Sequence, residues 1–148
     1  MSTRSNSILA MLKADHKKVK ALFADFEDAT ARKREDIAQS AIQELEVHAE
    51  LEEELIYPAI RKGIDEDQVM NEAKEEHHLV HVLIAELKEL DPTDETFAAK
   101  FIVLGELVKH HVKEEEGEMF PQALKGKIDW EGLQAKVIER KEQLMAQA

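Results

Sequence analysis

The sequence contains no cysteine. This absence excludes disulfide bonds, thiolate metal sites, iron–sulfur clusters and a cysteine nucleophile, so any bound metal must use nitrogen and oxygen ligands. The absence of cysteine also fits a reducing compartment, and we expect a cytoplasmic protein.

Glycine and proline are scarce, with five and three residues among 148. Ala, Leu, Glu and Lys dominate instead, a composition that is typical of helices and lacks the β-branched alternation of strands. No stretch approaches 18 consecutive apolar residues, and residues 1–6 are polar, so neither a membrane span nor a signal peptide is expected. The length predicts a single domain covering residues 1–148.

Basic side chains are also few in comparison with acidic ones. Acidic side chains outnumber basic ones by 32 to 20, which gives a formal net charge of −12. A phosphate backbone would repel such a chain, because its binding depends on Lys and Arg, so we expect no nucleic acid partner. The excess of carboxylates would attract cations, although many acidic helix faces are merely solvated.

The periodicity of the apolar residues predicts an all-α protein. The predicted helices lie near residues 7–28, 33–61, 66–90, 94–120 and 130–146. The first four are each long enough to span a bundle, and their short connections favour an antiparallel order. We therefore predict an up-down-up-down four-helix bundle over about residues 7–124, with a short fifth helix that packs against it.

An apolar seam with alternating steps of three and four residues runs along each of the four long helices. Each seam is interrupted near its middle by a histidine, and two seams also carry a glutamate four residues after that histidine. The interrupting residues are His16, His48, Glu52, His77, His111 and Glu115. A residue pair at i and i+4 lies on one helix face, so each His-x-x-x-Glu pair can bind one centre.

An internal repeat relates the second and fourth predicted helices. Residues 48–58 align with residues 111–121, and both segments share a His, a Glu four residues later, an aromatic residue nine later and a Pro ten later. Asp15-His16 aligns in the same way with Glu76-His77. The pattern predicts two helical hairpins related by a pseudo-two-fold axis, which would bring four histidines to one level of the bundle.

A metal would explain this polar layer in an apolar core. An unpaired ionised carboxylate in an apolar interior costs at least several kcal/mol, and a bound cation turns that cost into binding. His77 and His81 repeat the i, i+4 spacing, so His81 is a candidate fifth nitrogen ligand. Imidazole and carboxylate ligands suit Fe, Zn, Mn or Cu. The alternative is an ion-paired or hydrated polar core without metal.

These motifs, in this order, resemble the hemerythrin and HHE cation-binding domains over roughly residues 7–124. The resemblance implies two iron ions, with His77, His81 and His111 on one, His16 and His48 on the other, and Glu52 and Glu115 bridging them. It also implies an oxo or hydroxo bridge and an open position on the second iron. The expected ligand is dioxygen or another small diatomic molecule or peroxide, and we expect a monomer or a weak homo-oligomer.

One spacing departs from the oxygen-carrying hemerythrins, which place an Asp five residues after the last histidine. Here Glu115 stands four residues after His111, and Glu116 occupies the fifth position. Glu116 is therefore an alternative ligand, and the departure weakens the case for reversible oxygen carriage. The repeat favours Glu115, because Glu52 has the same spacing from His48.

Several other residues are weaker candidates for a role in the metal site. Asp15 and Glu76 could accept the second N–H of imidazoles on neighbouring helices. Tyr57 and Phe120 are expected to close the bundle as apolar plugs, with a phenolate ligand at Tyr57 as the less favoured alternative. We expect surface or supporting roles for His78 and His110, and solvated positions for the remaining glutamates of the runs at 52–54 and 114–116.

Three functions are compatible with this pattern. The first is a di-iron protein that binds dioxygen or a related small molecule as a carrier, store or sensor. The second is a di-iron enzyme that acts on peroxide or nitric oxide. The third is a module whose metal occupancy orders a bundle that partner proteins recognise. Family resemblance alone does not choose among them.

Overall fold

The computed structural model describes residues 6–147, and over this range the chain is helical and contains no strand. Five helices follow one another. They are α1 (Ser7–Asp28), α2 (Ala31–Leu51, a π-helical turn at Glu52–Ile56, then Tyr57–Gly63), α3 (Asp67–Glu89), α4 (Glu95–Glu114, a π-helical turn at Glu115–Met119, then Phe120–Lys125) and α5 (Trp130–Gln147). The prediction of an all-α four-helix bundle with a short fifth helix is confirmed, and the helix ends agree with the expected ones to within a few residues.

Short polar side chains begin four of the five helices, and before α2 Thr30 Oγ1 accepts the Lys33 N–H at 3.5 Å. Asn6 Oδ1 accepts the Leu9 N–H at 3.0 Å before α1, Asp94 Oδ1 accepts the Thr96 N–H at 2.8 Å before α4, and Asp129 Oδ1 accepts the Gly132 N–H at 3.1 Å at the start of α5. These bonds satisfy backbone donors that have no partner within the helix. The links at residues 29–30 and 90–94 are short, so α1–α2 and α3–α4 form tight hairpins.

The core consists of two apolar clusters with a polar layer between them. The first cluster includes Leu12, Ile56, Met119 and Phe120, and α5 covers it with the buried Leu133 and Val137. The second cluster includes Phe23, Phe26, Phe101 and Leu104. Six buried polar side chains occur in the described chain, and five of them belong to the layer between the clusters: His16, Glu52, His77, His111 and Glu115.

Each π-helical turn begins at a seam glutamate and ends just before the aromatic-proline pair. A proline within a helix lacks an N–H and clashes with the carbonyl of the preceding turn, and a wider turn relieves this conflict. The N–H of Tyr57 bonds to the carbonyl of Glu52, and that of Phe120 to the carbonyl of Glu115. The extra residue turns both aromatic rings toward the bundle interior, and α2 and α4 continue past their prolines.

Within residues 6–147, no helix combines the length and the hydropathy that a membrane crossing requires.

Candidate metal centre

Six side chains from four helices converge in the polar layer. They form two groups of potential metal ligands, each with its ligand atoms within 4.8 Å of one another: His16, His48, Glu52 and Glu115 in the first group, and Glu52, His77, His111 and Glu115 in the second. Glu52 and Glu115 belong to both groups. The two ligand groups of the layer therefore share two carboxylates.

The site has two halves, one with His16 and His48 and the other with His77 and His111. The distances show that each glutamate reaches both halves. Glu52 Oε1 lies 3.3 Å from His48 Nε2 and 3.2 Å from His77 Nε2. Glu115 Oε1 lies 3.2 Å from His16 Nε2, and its Oε2 lies 3.0 Å from His111 Nε2. Each carboxylate thus faces one imidazole from either half, as a bridging ligand would.

The residues present fit a pair of metal ions. Within residues 6–147, the buried atoms without a hydrogen-bond partner include Glu52 Oε2, Glu115 Oε1 and His16 Nε2. The two glutamate side chains are 0% exposed. Burying such groups unsatisfied is costly, whereas a cation would use their lone pairs. Four imidazoles and two carboxylates suit iron, zinc, manganese or copper.

Tyr57 brings an unexpected oxygen into the second half of the site. Its hydroxyl lies 3.1 Å from His111 Nε2 and 3.2 Å from both His77 Nε2 and Glu52 Oε1, and it donates a hydrogen bond to Glu115. Burial raises the pKa of Tyr57 well above its usual value, and the two glutamates raise it further. Without a metal, the phenol is therefore protonated beside these carboxylates, and the expectation of a purely apolar plug is wrong for Tyr57.

Phe120 occupies the equivalent position in the other half. Its ring stacks on His16, with ring centroids 6.3 Å apart and an interplanar angle of 12°. It carries no oxygen, so the repeat produces two halves that differ by one hydroxyl group. The His16/His48 half therefore has one donor fewer than the His77/His111 half.

The structure does not bring His81 into the buried cluster. Its Nε2 lies 2.7 Å from Glu53 Oε2, and its side chain is 44% exposed. One turn along α3 from His77, the ring faces the outside of the bundle, while the Tyr57 hydroxyl occupies the space beside His77 and His111. This corrects the five-histidine arrangement, since the buried set contains four histidines.

A carboxylate faces Nδ1 of every histidine in the buried set. The distances from Nδ1 to the carboxylate oxygen are 2.6 Å for His16–Glu116, 3.0 Å for His48–Asp15, 2.7 Å for His77–Glu53 and 2.7 Å for His111–Glu76. An Nδ1–H that donates to a carboxylate leaves the Nε2 lone pair for a metal in the centre.

The positions of these outer carboxylates test the roles that the sequence analysis gave to four acidic residues. Asp15 and Glu76 lie beside imidazoles of neighbouring helices, as the hypothesis for them required. Glu116, the alternative metal ligand, instead faces the outer nitrogen of His16, and Glu53 is not simply solvated. The repeat carried this signal, because Glu53 and Glu116 each follow a seam glutamate by one residue.

In the absence of metal, the carboxylates hold the pKa of three histidines above its usual value, and for His48 the rise from Glu52 and Asp15 outweighs burial. Burial lowers the pKa of His77, but hydrogen bonds with Glu52 and Glu53 outweigh it and raise the pKa to about 9. Burial also lowers the pKa of His111, but Glu115 and Glu76 outweigh it and raise the pKa to about 10. Metal binding must displace these protons, so uptake should be accompanied by proton release.

We expect the metal-free protein to lose stability as the pH rises from 7 to 9.5. The pKa values of His77 and His111 lie above the unfolded value near 6.5, so their stabilisation is complete below about pH 6.5 and is lost as the pH rises through about 9 and 10. Each group contributes a slope of up to about 1.4 kcal/mol per pH unit. Urea unfolding of the metal-free chain at several pH values measures this slope, which should be smaller in His111→Gln. A stability that stays level or rises over this range contradicts the expectation.

Replacing Asp15 with asparagine should weaken metal binding roughly 10- to 100-fold, because the anionic partner of His48 Nδ1 is lost. Lys141 of α5 lies 3.7 Å from the other oxygen of Asp15, and because Lys141→Met removes a positive charge near the centre, it should not weaken metal binding. Competitive titration with a chelator measures both affinities, and Asp25→Asn, an exposed change on the same helix, is the matched control. An Asp15→Asn affinity equal to that of the control would exclude a supporting role.

A helical bundle whose facing helices carry paired His-x-x-x-Glu ligands around a buried centre defines a class of metal-binding proteins. This chain belongs to the hemerythrin HHE cation binding domain family, whose sequence model matches residues 7–123. The family assignment confirms the resemblance seen in the sequence and establishes the chain as a cation-binding domain.

Two known proteins are similar to this chain. A crystal structure of a hemerythrin HHE cation binding domain-containing protein from Mycobacterium kansasii superimposes with a TM-score of 0.77 at 25% identity, covering 92% of this chain and 85% of that one. A DNA nickase from Nostoc sp. is 28% identical over 115 residues, or 77% of this chain. The match covers 32% of the nickase, so the chain spans about a third of that relative's length.

Proposed function

We propose that the chain holds two iron ions, bridged by Glu52 and Glu115, and that the pair binds dioxygen or a related small molecule. The observation that carries this proposal is the sharing of the two buried glutamates between both ligand groups. His16 and His48 would hold one ion, and His77, His111 and the Tyr57 oxygen would hold the other. When bound, such a pair supplies electrons and an electrophilic centre to a small ligand.

A small apolar cavity beside the centre supports the proposal that the ligand is a small molecule. Its volume is about 40 Å³, and it adjoins His16, His48, His77 and His111. Its remaining walls are mostly aliphatic: Val19, Leu45, Ala49, Val80, Val108 and Val112. A space of this size admits a molecule of two or three heavy atoms and excludes an organic substrate.

The cavity and the two aromatic residues that close the site lie on opposite sides of the polar layer. Its valines belong to the second apolar cluster, whereas Tyr57 and Phe120 belong to the first, on the other side of the polar layer. The half with Phe120 has the smaller donor set, so the open position is proposed at the ion held by His16 and His48. Asp15 and Glu52, the two acidic residues of the lining, are both paired with His48, and the other walls away from the histidines carry no acid or base, which favours binding over turnover.

The test is anaerobic loading with ferrous iron, followed by titration with dioxygen. We expect about two irons per chain and an absorption change that reverses when oxygen is removed. Val108→Leu, which fills part of the cavity, should weaken the oxygen response while the iron content stays unchanged.

Other results would redirect the proposal. Consumption of peroxide or nitric oxide in large excess over the number of sites would favour the enzyme. Failure to bind iron, with the helical content intact, would reject the di-iron site.

A further inference from the structure

A groove of about 670 Å³ opens on the surface between α2 and α3, directly outside Tyr57 and His77. At its wall, Glu53 Oε2 lies 2.7 Å from His77 Nδ1 and 2.7 Å from His81 Nε2. The ligand atoms of these three residues all lie within 4.8 Å of one another. The groove therefore contains a second set of converging donors, outside the buried centre.

The donor set suits a divalent transition-metal ion. Two histidines at i and i+4 on one helix face, together with a carboxylate, form a recurrent binding arrangement for such ions. The side chains of Glu53 and His81 are 42% and 44% exposed, so an ion can reach them from solvent. The glutamates of the buried centre, by contrast, are 0% exposed.

We propose that Glu53, His77 and His81 form a transient capture site for a divalent transition-metal cation, from which the ion passes inward to the buried centre. The capture step stands on this geometry alone, while the inward transfer rests on the proposed function.

The ring of His77 connects the two sites. Its Nδ1 faces Glu53 in the groove at 2.7 Å, and its Nε2 faces Glu52 in the centre at 3.2 Å. A neutral imidazole has a single nitrogen lone pair available for a metal. An ion held outside and an ion held inside therefore compete for the same ring, so the outer site passes an ion on and does not store it.

The charges around the groove indicate that its preference among metal ions comes from imidazole coordination and not from a general negative potential. Arg61 and Lys74 line the groove. Arg61 is partly neutralised by Asp67 at 3.6 Å, and it donates to Asn71 at 3.1 Å. Ions that prefer only oxygen ligands, such as Mg²⁺, gain little here, whereas Fe²⁺, Co²⁺ and Zn²⁺ gain from the nitrogen donors.

The kinetic test is stopped-flow loading of the metal-free chain with Co²⁺, followed through its visible absorption. His81→Ala should slow loading by about tenfold or more, because the local concentration of the ion is lost, while the final content stays at that of the unchanged chain. His78→Ala removes a neighbouring histidine of the same groove, and His110→Ala removes an exposed histidine near His111. Both controls should load at the original rate, and excess Mg²⁺ should not slow loading.

An equilibrium test examines the capture site without the buried centre. The double variant Glu52→Gln/Glu115→Gln removes the bridging carboxylates, and circular dichroism checks that it stays helical. It should bind one Co²⁺ weakly, and adding His81→Ala should abolish that binding. If this binding is seen while the unchanged chain fails to hold two ions, the capture site stands and the proposed function fails.

Two results would overturn the inference. The first is a loading rate that His81→Ala does not change. The second is a final metal content that His81→Ala lowers from two ions to one, which would make His81 a ligand of the buried centre.

Discussion

Replacing Glu115 with alanine is expected to release both metal ions, not one. The carboxylate belongs to both ligand groups, with one oxygen 3.2 Å from His16 Nε2 and the other 3.0 Å from His111 Nε2. Its loss also leaves a single carboxylate, Glu52, shared between two divalent cations at close range, where mutual repulsion is large. Metal analysis after gel filtration of the reconstituted protein measures the effect.

Two companion variants make this result specific. His16→Ala removes a ligand from the first group only, so it should lower the metal content from two ions to about one. Glu118→Ala lies in the same π-helical turn but is exposed, and it should keep both ions. Retention of one tightly bound ion in Glu115→Ala would show that the carboxylate does not bridge, and would return Glu116 to consideration.

Replacing Tyr57 with phenylalanine is expected to lower the metal affinity of the His77/His111 half by at least about tenfold, a loss of the size seen when a group that supports a metal ligand is removed. The hydroxyl lies within 3.2 Å of Nε2 of both histidines. Phe120, the equivalent residue of the other half, has no hydroxyl group. Iron(III) bound to a phenolate absorbs in the visible region, so the ferric protein should also lose that band. Chelator competition and the visible spectrum are the two measurements.

His81→Ala is the matched comparison for this change. It removes the residue that the five-histidine arrangement assigns to the same metal position, but His81 contacts Glu53 outside the buried cluster. We therefore expect unchanged equilibrium affinity and an unchanged spectrum in His81→Ala. The reverse outcome, with His81→Ala weakening the site and Tyr57→Phe leaving it intact, would restore the five-histidine arrangement and reject the tyrosine ligand.

The long helices and the six histidines and glutamates of the polar layer could be predicted because both depend on local periodicity. In an α-helix, residues three and four apart share a face, so an apolar seam with one polar interruption identifies the residues that point inward. His48 with Glu52 and His111 with Glu115 repeat that spacing, and the duplication brings them to one level of the bundle. Family membership follows from the same local patterns, since the matched region coincides with the bundle.

Tyr57 and His81 were misplaced because their positions depend on the departure from that periodicity. A constant step of roughly 100° per residue turns Tyr57 away from Glu52. The π-helical turn before Pro58 adds a residue, so Tyr57 stands one turn beyond Glu52 and on the same face. His81 keeps its α-helical phase, and its ring pairs with Glu53 on the outside of the bundle.

The sequence by itself determined the helices, their order and the inward-facing ligands, because backbone hydrogen bonding and apolar burial act over a few neighbouring residues. Only the tertiary structure decided which groups from different helices meet. The pairing of each imidazole with an outer carboxylate, the tyrosine in one half and the phenylalanine in the other all require contacts between distant segments, such as His16 with Glu116. Those contacts depend on how the helices pack and where the π-helical turns change their phase, and a one-helix pattern carries no information about either.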